Sequence, residues 1–182
     1  MTRKILPLLA ILLLLSSLVL AQTSEPVTTV YLVRHAERAA EPQNDPLLTE
    51  QGAARSQALA RLLSTAGIKA IYTSQATRTR LTAEPLATKL GISPTAIALK
   101  VSSTNPRQIT EESTKETVDK ILSHAGASVL VVGHSNSIPD VIKMLGGDVA
   151  PVIDEKKFDD LFIVTVYAKG KAKVAHLKYG SE

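Results

Sequence analysis

The chain has 182 residues, enough for one domain with a hydrophobic core, and 21 Lys and Arg against 17 Asp and Glu give it a formal charge of +4. A charge this small gives no case for nucleic-acid binding, which usually requires a clustered basic face. The absence of cysteine excludes disulfides, thiolate metal sites and a cysteine nucleophile.

The N-terminus has the pattern of an export signal. Arg3 and Lys4 precede a long apolar run that ends in a small-residue cleavage pattern at Ala21. An uncleaved membrane anchor is the alternative, because the run approaches spanning length, and membrane contact is expected only in that case. We expect an exported protein, periplasmic or secreted, with a signal peptide, a polar linker and one domain at 1–21, 22–26 and 27–180.

The first half of the domain alternates between strand and helix patterns. Thr49 can cap a helix that Gly67 closes, and Gly91 ends a second helix. β-rich runs precede each helix. The predicted elements are a strand at 27–33, a loop at 34–48, a helix from Thr49, a strand at 69–73 and a helix at 75–90.

The second half continues the alternation and ends in a hairpin. Asn105-Pro106 predicts the start of a helix that buries Val118, Ile121 and Leu122. Strands are predicted near 95–101 and at 127–133, a short helix at 138–145, and a hairpin at 161–168 and 171–179. The fold class is therefore α/β: a three-layer sandwich with a mainly parallel sheet and antiparallel edge strands.

Polar side chains follow three of the predicted strands. Arg34 and His35 end the first, Ser74 and then Arg78 follow the second, and His134 ends the strand at 127–133. Ligands of open α/β sheets bind beyond the carboxyl ends of the strands, so these side chains are expected to converge.

The converging residue types suit phosphoryl transfer. Two arginines present planar donors that match phosphate oxygens, and their charge disfavours a bound metal cation. The same charge keeps a neighbouring histidine neutral and therefore nucleophilic. A second histidine, if protonated, can stabilise an oxygen that gains charge in the transition state. We expect a phosphohistidine intermediate, with no metal and no cofactor.

Four segments carry a family resemblance. In chain order they are YLVRHAER (31–38), NDPLLTEQGAARSQALA (44–60), YTSQATRTRLTAEPLA (72–87) and VVGHSNSIP (131–139). Together they resemble the motifs of the histidine phosphatase superfamily, branch 1, with its phosphoglycerate mutase-like fold. Ala36 stands where most members have glycine. In size and motifs the chain is most similar to the small phosphohistidine phosphatase-like members.

The resemblance implies a role for each matching residue. His35 is the implied nucleophile, and Arg34, Arg78 and His134 form the implied phosphate pocket. Ser135 is expected to donate through its backbone, and Ser74 to support the site without binding phosphate.

The sequence does not assign the general acid to a single residue. Glu111 and Glu112 lie where other members place a glutamate, but acidic residues also favour the start of a helix. The segment between Arg78 and His134 is too short for a large lid, which counts against mutase chemistry. The expected substrate is a small phosphomonoester or a phosphohistidine protein. A non-catalytic phosphate-binding module and, less favoured, a phosphoglycerate mutase are the alternatives.

Two charged groups have less specific interpretations. Glu37 and Arg38 are expected to form a solvated loop pair, with Arg38 within reach of a substrate's outer phosphate. An acidic cluster could suggest a cation site, but it lacks the ligand spacing of a calcium loop, so a solvated turn is expected; it comprises Asp154, Glu155, Asp159 and Asp160.

Overall fold

A computed structural model describes residues 26–149 and 151–180 of the chain. Strands and helices alternate along it, as the sequence predicts. The strands are β1 (Thr28–Arg34), β2 (Ile68–Ser74), β3 (Thr95–Ile97), β4 (Ser128–Gly133), β5 (Asp160–Ala168) and β6 (Lys171–Lys178). The helices are α1 (Glu50–Leu63), α2 (Thr77–Leu90), α3 (Glu111–Leu122) and α4 (Ile138–Met144).

The strands form one mixed six-stranded sheet in the order β3-β2-β4-β1-β5-β6. β1 to β4 run parallel to one another where they pair, and β5 pairs antiparallel with both β1 and β6. The predicted α/β class, with antiparallel strands at one edge, is confirmed.

Side-chain alternation along the strands divides the core into two layers. Val33 and Leu130 pack with Leu59 of α1 and Leu86 of α2 on one face. The neighbouring strand residues, including Leu32 and Val131, pack on the other face with α3 and α4. Since successive strand residues point to opposite faces, the continuous apolar runs of β1 and β4 require helices on both sides. The result is the predicted three-layer sandwich.

Local signals explain where α1 and α2 begin and end. The Thr49 hydroxyl caps α1 by accepting from the Gly52 N–H at 3.1 Å. Asp45, in the loop between β1 and α1, caps α2, with one oxygen 3.0 Å from the Thr77 N–H and the other 2.6 Å from the Thr77 hydroxyl. Gly91 ends α2 in the left-handed conformation, at φ 66°.

The predicted start of α3 is wrong. Asn105-Pro106 forms a separate turn in which the Asn105 carboxamide accepts from the Arg107 N–H at 3.1 Å. The helix begins five residues later, where Thr110 caps it through the Ser113 N–H at 3.3 Å. Both asparagine and threonine satisfy free backbone donors, so the sequence offers two competing caps.

The predicted leader at 1–21 and residues 22–25 of the linker lie outside the residues that the structure describes. Within the described ranges, none of the helices is both long and apolar enough to span a membrane.

Candidate active site

His35 directly follows β1 at the carboxyl edge of the parallel strands. Its N–H donates to the Gly133 carbonyl at 3.0 Å, which extends the pairing of β1 with β4 by one residue. Its side chain is buried, and Nδ1 lies 2.8 Å from the Ala36 carbonyl oxygen. A carbonyl can only accept, so Nδ1 carries the proton and Nε2 of the neutral ring has a free lone pair.

Burial and nearby charge keep the His35 ring neutral. Burial is the largest influence and lowers the pKa of His35 to about 3, although the hydrogen bond to Ala36 opposes the shift. His134, Arg34 and Arg78 lower the pKa further, because each would repel a positive imidazole. The unprotonated form, which is the nucleophilic one, therefore predominates at neutral pH.

Thr82 of α2 holds the backbone that orients His35. Its buried hydroxyl accepts from the Ala36 N–H at 2.9 Å and donates to the Arg78 carbonyl at 2.7 Å. The Ala36 peptide is thus fixed at its N–H by α2 while the Ala36 carbonyl orients the imidazole. Sequence reasoning missed Thr82, although its position four residues after Arg78 places both on the same face of the helix.

Arg34 ends β1 and is held by the loop at 151–159. Its Nη1 donates to the carbonyls of Asp154 and Lys157, both at 3.1 Å. The guanidinium carbon lies 4.3 Å from the centre of the Phe158 ring, which places the charge over an aromatic face. Nothing in the local sequence pattern predicted this loop contact, because it joins residues about 120 positions apart.

Arg78 and His134 meet across the sheet edge from α2 and the end of β4. Nη2 of Arg78 lies 3.4 Å from Nδ1 of His134. Since a guanidinium only donates, Nδ1 is the acceptor and Nε2 carries the ring proton. That Nε2–H donates to the Ser74 hydroxyl at 2.8 Å, and the Ser74 hydroxyl lies 3.1 Å from that of Thr79. Ser74 therefore occupies the supporting position expected of it.

Burial lowers the pKa of His134 to about 4, and the charges of Arg78 and Arg34 contribute to the same shift. Without a bound anion this histidine is neutral at pH 7. The role expected of a protonated second histidine therefore depends on the negative charge of a ligand, which would raise the pKa of His134 again.

The two histidine rings and the two arginines surround one small volume. The centroids of His35 and His134 are 5.3 Å apart in an edge-to-face arrangement. Nε of Arg34 and Nε of Arg78 are both buried, and neither has a hydrogen-bond partner in the described part of the chain. Buried charged donors without partners are costly, and an oxyanion bound between them would satisfy both.

The predicted acids lie away from this volume. Glu112 forms a salt bridge with Lys100 at 2.8 Å, and both side chains are exposed. Glu111 is exposed beside a cleft that includes Lys143 of α4. Neither carboxylate makes a hydrogen bond or salt bridge with the four converging residues, so an acid role for either has no support in the geometry.

Ser135 is half-buried directly after His134.

Glu37 and Arg38 do not form the expected solvated pair. Glu37 is bound by Arg55 of α1 through contacts of 2.7–3.0 Å, with only about a tenth of each side chain exposed. Arg38 is exposed and lines an open cleft with Arg34 and Glu155.

The acidic cluster is likewise not one solvated turn. Asp154 and Glu155 are exposed, and the Asp154 carbonyl binds Arg34 as described above. Asp160 is buried in β5, where its carboxylate contacts His176 at 2.6 Å and also Lys178. Across residues 26–149 and 151–180, no three side chains of the usual ligating types form a metal-binding group.

The fold and this set of side chains define a class of protein: a phosphoglycerate mutase-like α/β sandwich with two histidines and two arginines at the sheet edge. A phosphoglycerate mutase from Bacillus anthracis str. Sterne superposes with a TM-score of 0.63 at 17% identity, over 87% of this chain and 95% of that one. The protein histidine phosphatase SixA, solved with tungstate, gives 0.62 at 17% identity, over 83% and 95%. A mycobacterial glucosyl-3-phosphoglycerate phosphatase gives 0.60 at 13% identity, over 86% and 100%. At these identities the likeness shows the fold.

A family model matches part of the sequence. Residues 30–99 match the family model of the histidine phosphatase superfamily (branch 1), which confirms the predicted resemblance. The matched span contains Arg34, His35 and Arg78, whereas His134 lies outside it and meets them in the structure. No curated protein matches the chain in sequence. The family match supports a phosphatase or mutase-like enzyme.

Proposed function

We propose that the chain is a metal-independent phosphatase that hydrolyses a phosphomonoester or phosphoramidate through a phosphohistidine on His35. One observation carries the proposal: the neutral, buried His35 presents the lone pair of Nε2 beside two arginines whose Nε–H donors have no described partner. A neutral nucleophile next to an unfilled oxyanion site is the arrangement that phosphoryl transfer requires.

In the first step, Nε2 of His35 attacks phosphorus while Arg34 and Arg78 bind the non-bridging oxygens. A P–N bond forms, the bond from phosphorus to the leaving group breaks, and the leaving group departs with that electron pair and takes up a proton from solvent water. Arg34 is held in place by the carbonyls of Asp154 and Lys157, so it need not reorganise as charge moves.

In the second step, water attacks the phosphohistidine. A bond forms from the water oxygen to phosphorus, the P–N bond breaks with its electron pair returning to Nε2, and inorganic phosphate leaves as one water proton passes to solvent. The charge of the phosphoryl group raises the pKa of His134, so this ring becomes a charged donor when the site is occupied. Ser74 accepts the Nε2–H of His134, so the added proton goes to Nδ1, which then stops accepting from Arg78 and can donate to a phosphoryl oxygen.

The lack of a general acid in contact with the site, among the described residues, limits the class of substrate. No carboxylate of the described residues makes a hydrogen bond or salt bridge with the four converging side chains, so a leaving group that needs little protonation is favoured. A phosphohistidine protein and the phosphate of a cell-envelope sugar are the two proposed classes. The first agrees with the open, lidless site and the second with export.

We further propose that the enzyme acts outside the cytoplasm, as a periplasmic or secreted protein. The support is the basic and apolar pattern of residues 1–21 in the sequence. N-terminal sequencing of the exported protein tests this proposal: the mature chain should begin at Gln22. A full-length chain retained in the cytoplasm would contradict it.

Phosphate release from a generic monoester such as p-nitrophenyl phosphate tests the activity. We expect Arg78→Ala to lower kcat/KM about 10²–10³-fold, because one donor to the transition-state charge is lost. Arg80→Ala is the matched control: Arg80 lies on the same helix, is exposed and pairs with Glu84. Equal effects of the two substitutions would contradict the assigned pocket, and inactivation by a chelator would contradict metal independence.

A further inference from the structure

An arginine of α1 joins the loop after His35 to the segment that follows β6. Arg55 donates from Nε and Nη2 to the Glu37 carboxylate, through contacts of 2.7–3.0 Å. Its Nη1 donates to the carbonyls of Tyr179 and Gly180, at 2.8 and 3.0 Å. One guanidinium thus binds two segments that lie near opposite ends of the described chain.

The pair of Arg55 and Glu37 has the geometry of a strong ion pair. Both carboxylate oxygens accept from one planar guanidinium, and such forked contacts fix direction as well as distance. Water reaches only about a tenth of either side chain, so the pair is screened less than a surface salt bridge. Loss of one partner would leave the other charge nearly buried and unpaired. The pair therefore holds the Glu37 side chain in one place.

The segment after β6 gives Arg55 a fixed anchor. The Tyr179 ring is buried in the core layer under α1 and α2, together with Leu161 of β5. The Tyr179 N–H donates to the Asp159 carbonyl at 2.9 Å, and the Arg55 guanidinium carbon lies 5.8 Å from the centre of the Tyr179 ring. Because its ring and its N–H are both held, Tyr179 presents its carbonyl to Arg55 in a constant position.

Glu37 adjoins the peptide bond that orients His35. The Ala36 carbonyl, which accepts from Nδ1 of His35, belongs to the planar peptide that joins Ala36 to Glu37. The direction of this carbonyl therefore depends on the torsion angles at the Glu37 Cα. Glu37 is fixed at two points, because its carbonyl accepts from the Thr49 N–H at 2.9 Å and its carboxylate is bound by Arg55. These two contacts restrain the torsion angles that orient the Ala36 carbonyl.

We propose that Arg55 is a positioning residue, which acts through Glu37 to keep the proton of the His35 ring on Nδ1 and the lone pair on Nε2. Its effect on catalysis rests on the proposed phosphatase function, whereas its effect on the ring does not. Without Arg55, a fraction of the molecules would present a protonated Nε2, which cannot attack phosphorus. Arg34 and Arg78 would still bind the phosphate, so the rate should fall more than the affinity.

Steady-state release of phosphate from p-nitrophenyl phosphate measures the effect on catalysis. We expect Arg55→Gln to lower kcat about tenfold or more and to change KM less than about twofold. Glu37→Gln should act in the same direction, and the double variant should be no slower than Arg55→Gln alone, because both changes remove one contact. Arg55→Lys should recover part of kcat, since it keeps the charge but not the fork. Arg61→Ala is the matched control, an exposed arginine of the same helix.

A destabilised variant separates positioning from a general loss of folding. Ile121→Ala removes a fully buried side chain of α3 on the other face of the sheet, so it should lower the urea midpoint and keep the parent kcat. An equal loss of kcat in Ile121→Ala and Arg55→Gln would overturn the positioning role, as would parent kcat values in Arg55→Gln. If Arg55→Gln does not fold, parent kcat values in both Arg55→Lys and Glu37→Gln overturn it.

Nitrogen-15 NMR of the histidine rings tests the role without turnover, and the His35→Gln protein assigns the signals of His35. At neutral pH the parent should show a protonated Nδ1 and an unprotonated Nε2, and Arg61→Ala should match it. In Arg55→Gln the two nitrogen shifts should move towards each other as the tautomers exchange. An unchanged His35 ring in Arg55→Gln, or a parent ring that is already a mixture, overturns the role.

The two measurements distinguish failure of the positioning role from failure of the proposed function. A parent protein that releases no phosphate from any ester, but whose His35 ring responds to Arg55→Gln, would keep the positioning role and remove the phosphatase. Phosphate release by the parent with a His35 ring that does not respond would do the reverse.

Discussion

The two neutral histidines of the site make the folding stability of the protein depend on pH. The folded-state pKa values of His35 and His134 are about 3 and about 4, against about 6.5 for an unfolded histidine. The unfolded chain therefore binds more protons as the pH falls below 6.5, and folding stability is lost from there down to pH 3–4. Above pH 6.5 both rings are neutral in either state, so they contribute no pH dependence.

This linkage predicts a specific difference between the parent and a His134→Asn variant. Between pH 7 and pH 4.5, the parent should lose roughly 1–3 kcal/mol more of its free energy of unfolding than the variant, which lacks one titrating ring. Urea unfolding at the two pH values measures both losses. Identical losses in the two proteins would show that His134 is not held neutral by the fold.

Substitution of Thr82 tests whether its hydroxyl positions His35. Thr82→Val removes the acceptor of the Ala36 N–H, so the loop that orients His35 loosens, and kcat should fall about tenfold or more with a smaller change in KM. Thr117→Val is the matched control, because the buried Thr117 hydroxyl also donates to the carbonyl four residues earlier but contacts no catalytic loop.

Steady-state kinetics and urea unfolding separate the two effects. Thr82→Val should lose more stability than Thr117→Val, because it also leaves the Ala36 N–H without an acceptor, but only Thr82→Val should lower kcat, and Thr82→Ser should recover activity. Equal kcat values for the two valine variants would exclude a positioning role for Thr82.

At the scale of elements, the close contact of α1 with the loop after His35 depends on Gly52. A Cβ at this position would overlap the Glu37 carbonyl, two residues after His35. Gly52→Ala should therefore cost about 1–3 kcal/mol of stability and also lower kcat.

Gly67→Ala provides the comparison for Gly52. A Cβ at Gly67 meets no atom within 4 Å, but its φ of 68° disfavours alanine by about 1 kcal/mol. This variant should lose stability and keep the parent kcat. Urea unfolding with a parallel activity assay measures both, and full activity of Gly52→Ala would contradict the proposed contact.

The predictable elements are those whose local signals agree. Thr49 and Gly91 mark ends of α1 and α2 because capping and left-handed geometry depend on a few neighbouring residues. The start of α3 was not predictable, because Asn105 and Thr110 are both good caps and only tertiary packing selects between them. In the structure Asn105 forms its own turn, and Thr110 begins the helix.

The site shows the same division between local and distant contacts. The meeting of Arg34, His35, Arg78 and His134 follows from the sheet, because parallel strands end at one edge. The cation–π contact of Arg34 with Phe158 and the binding of Glu37 by Arg55 were not predictable. Both depend on side-chain placement that no strand or helix period encodes.

At the scale of the whole molecule, the order of the strands brings the residues of the proposed site together. β1 lies next to β4, and β4 next to β2, so the residues after these three strands are neighbours although they are far apart in sequence. The helices on both faces bury the sheet and leave its carboxyl edge open. An open edge admits water, which favours the proposed hydrolysis over transfer of a phosphoryl group to a second substrate.

Trapping the phosphoenzyme tests the central claim most directly. The purified protein is mixed with a ³²P-labelled phosphomonoester, quenched in base, and examined for protein-bound label. We predict a base-stable, acid-labile label on the parent protein that maps to His35 by peptide mass spectrometry, and none on the His35→Ala protein. Label on His35→Ala, or phosphate release by that variant at the parent rate, would contradict the account.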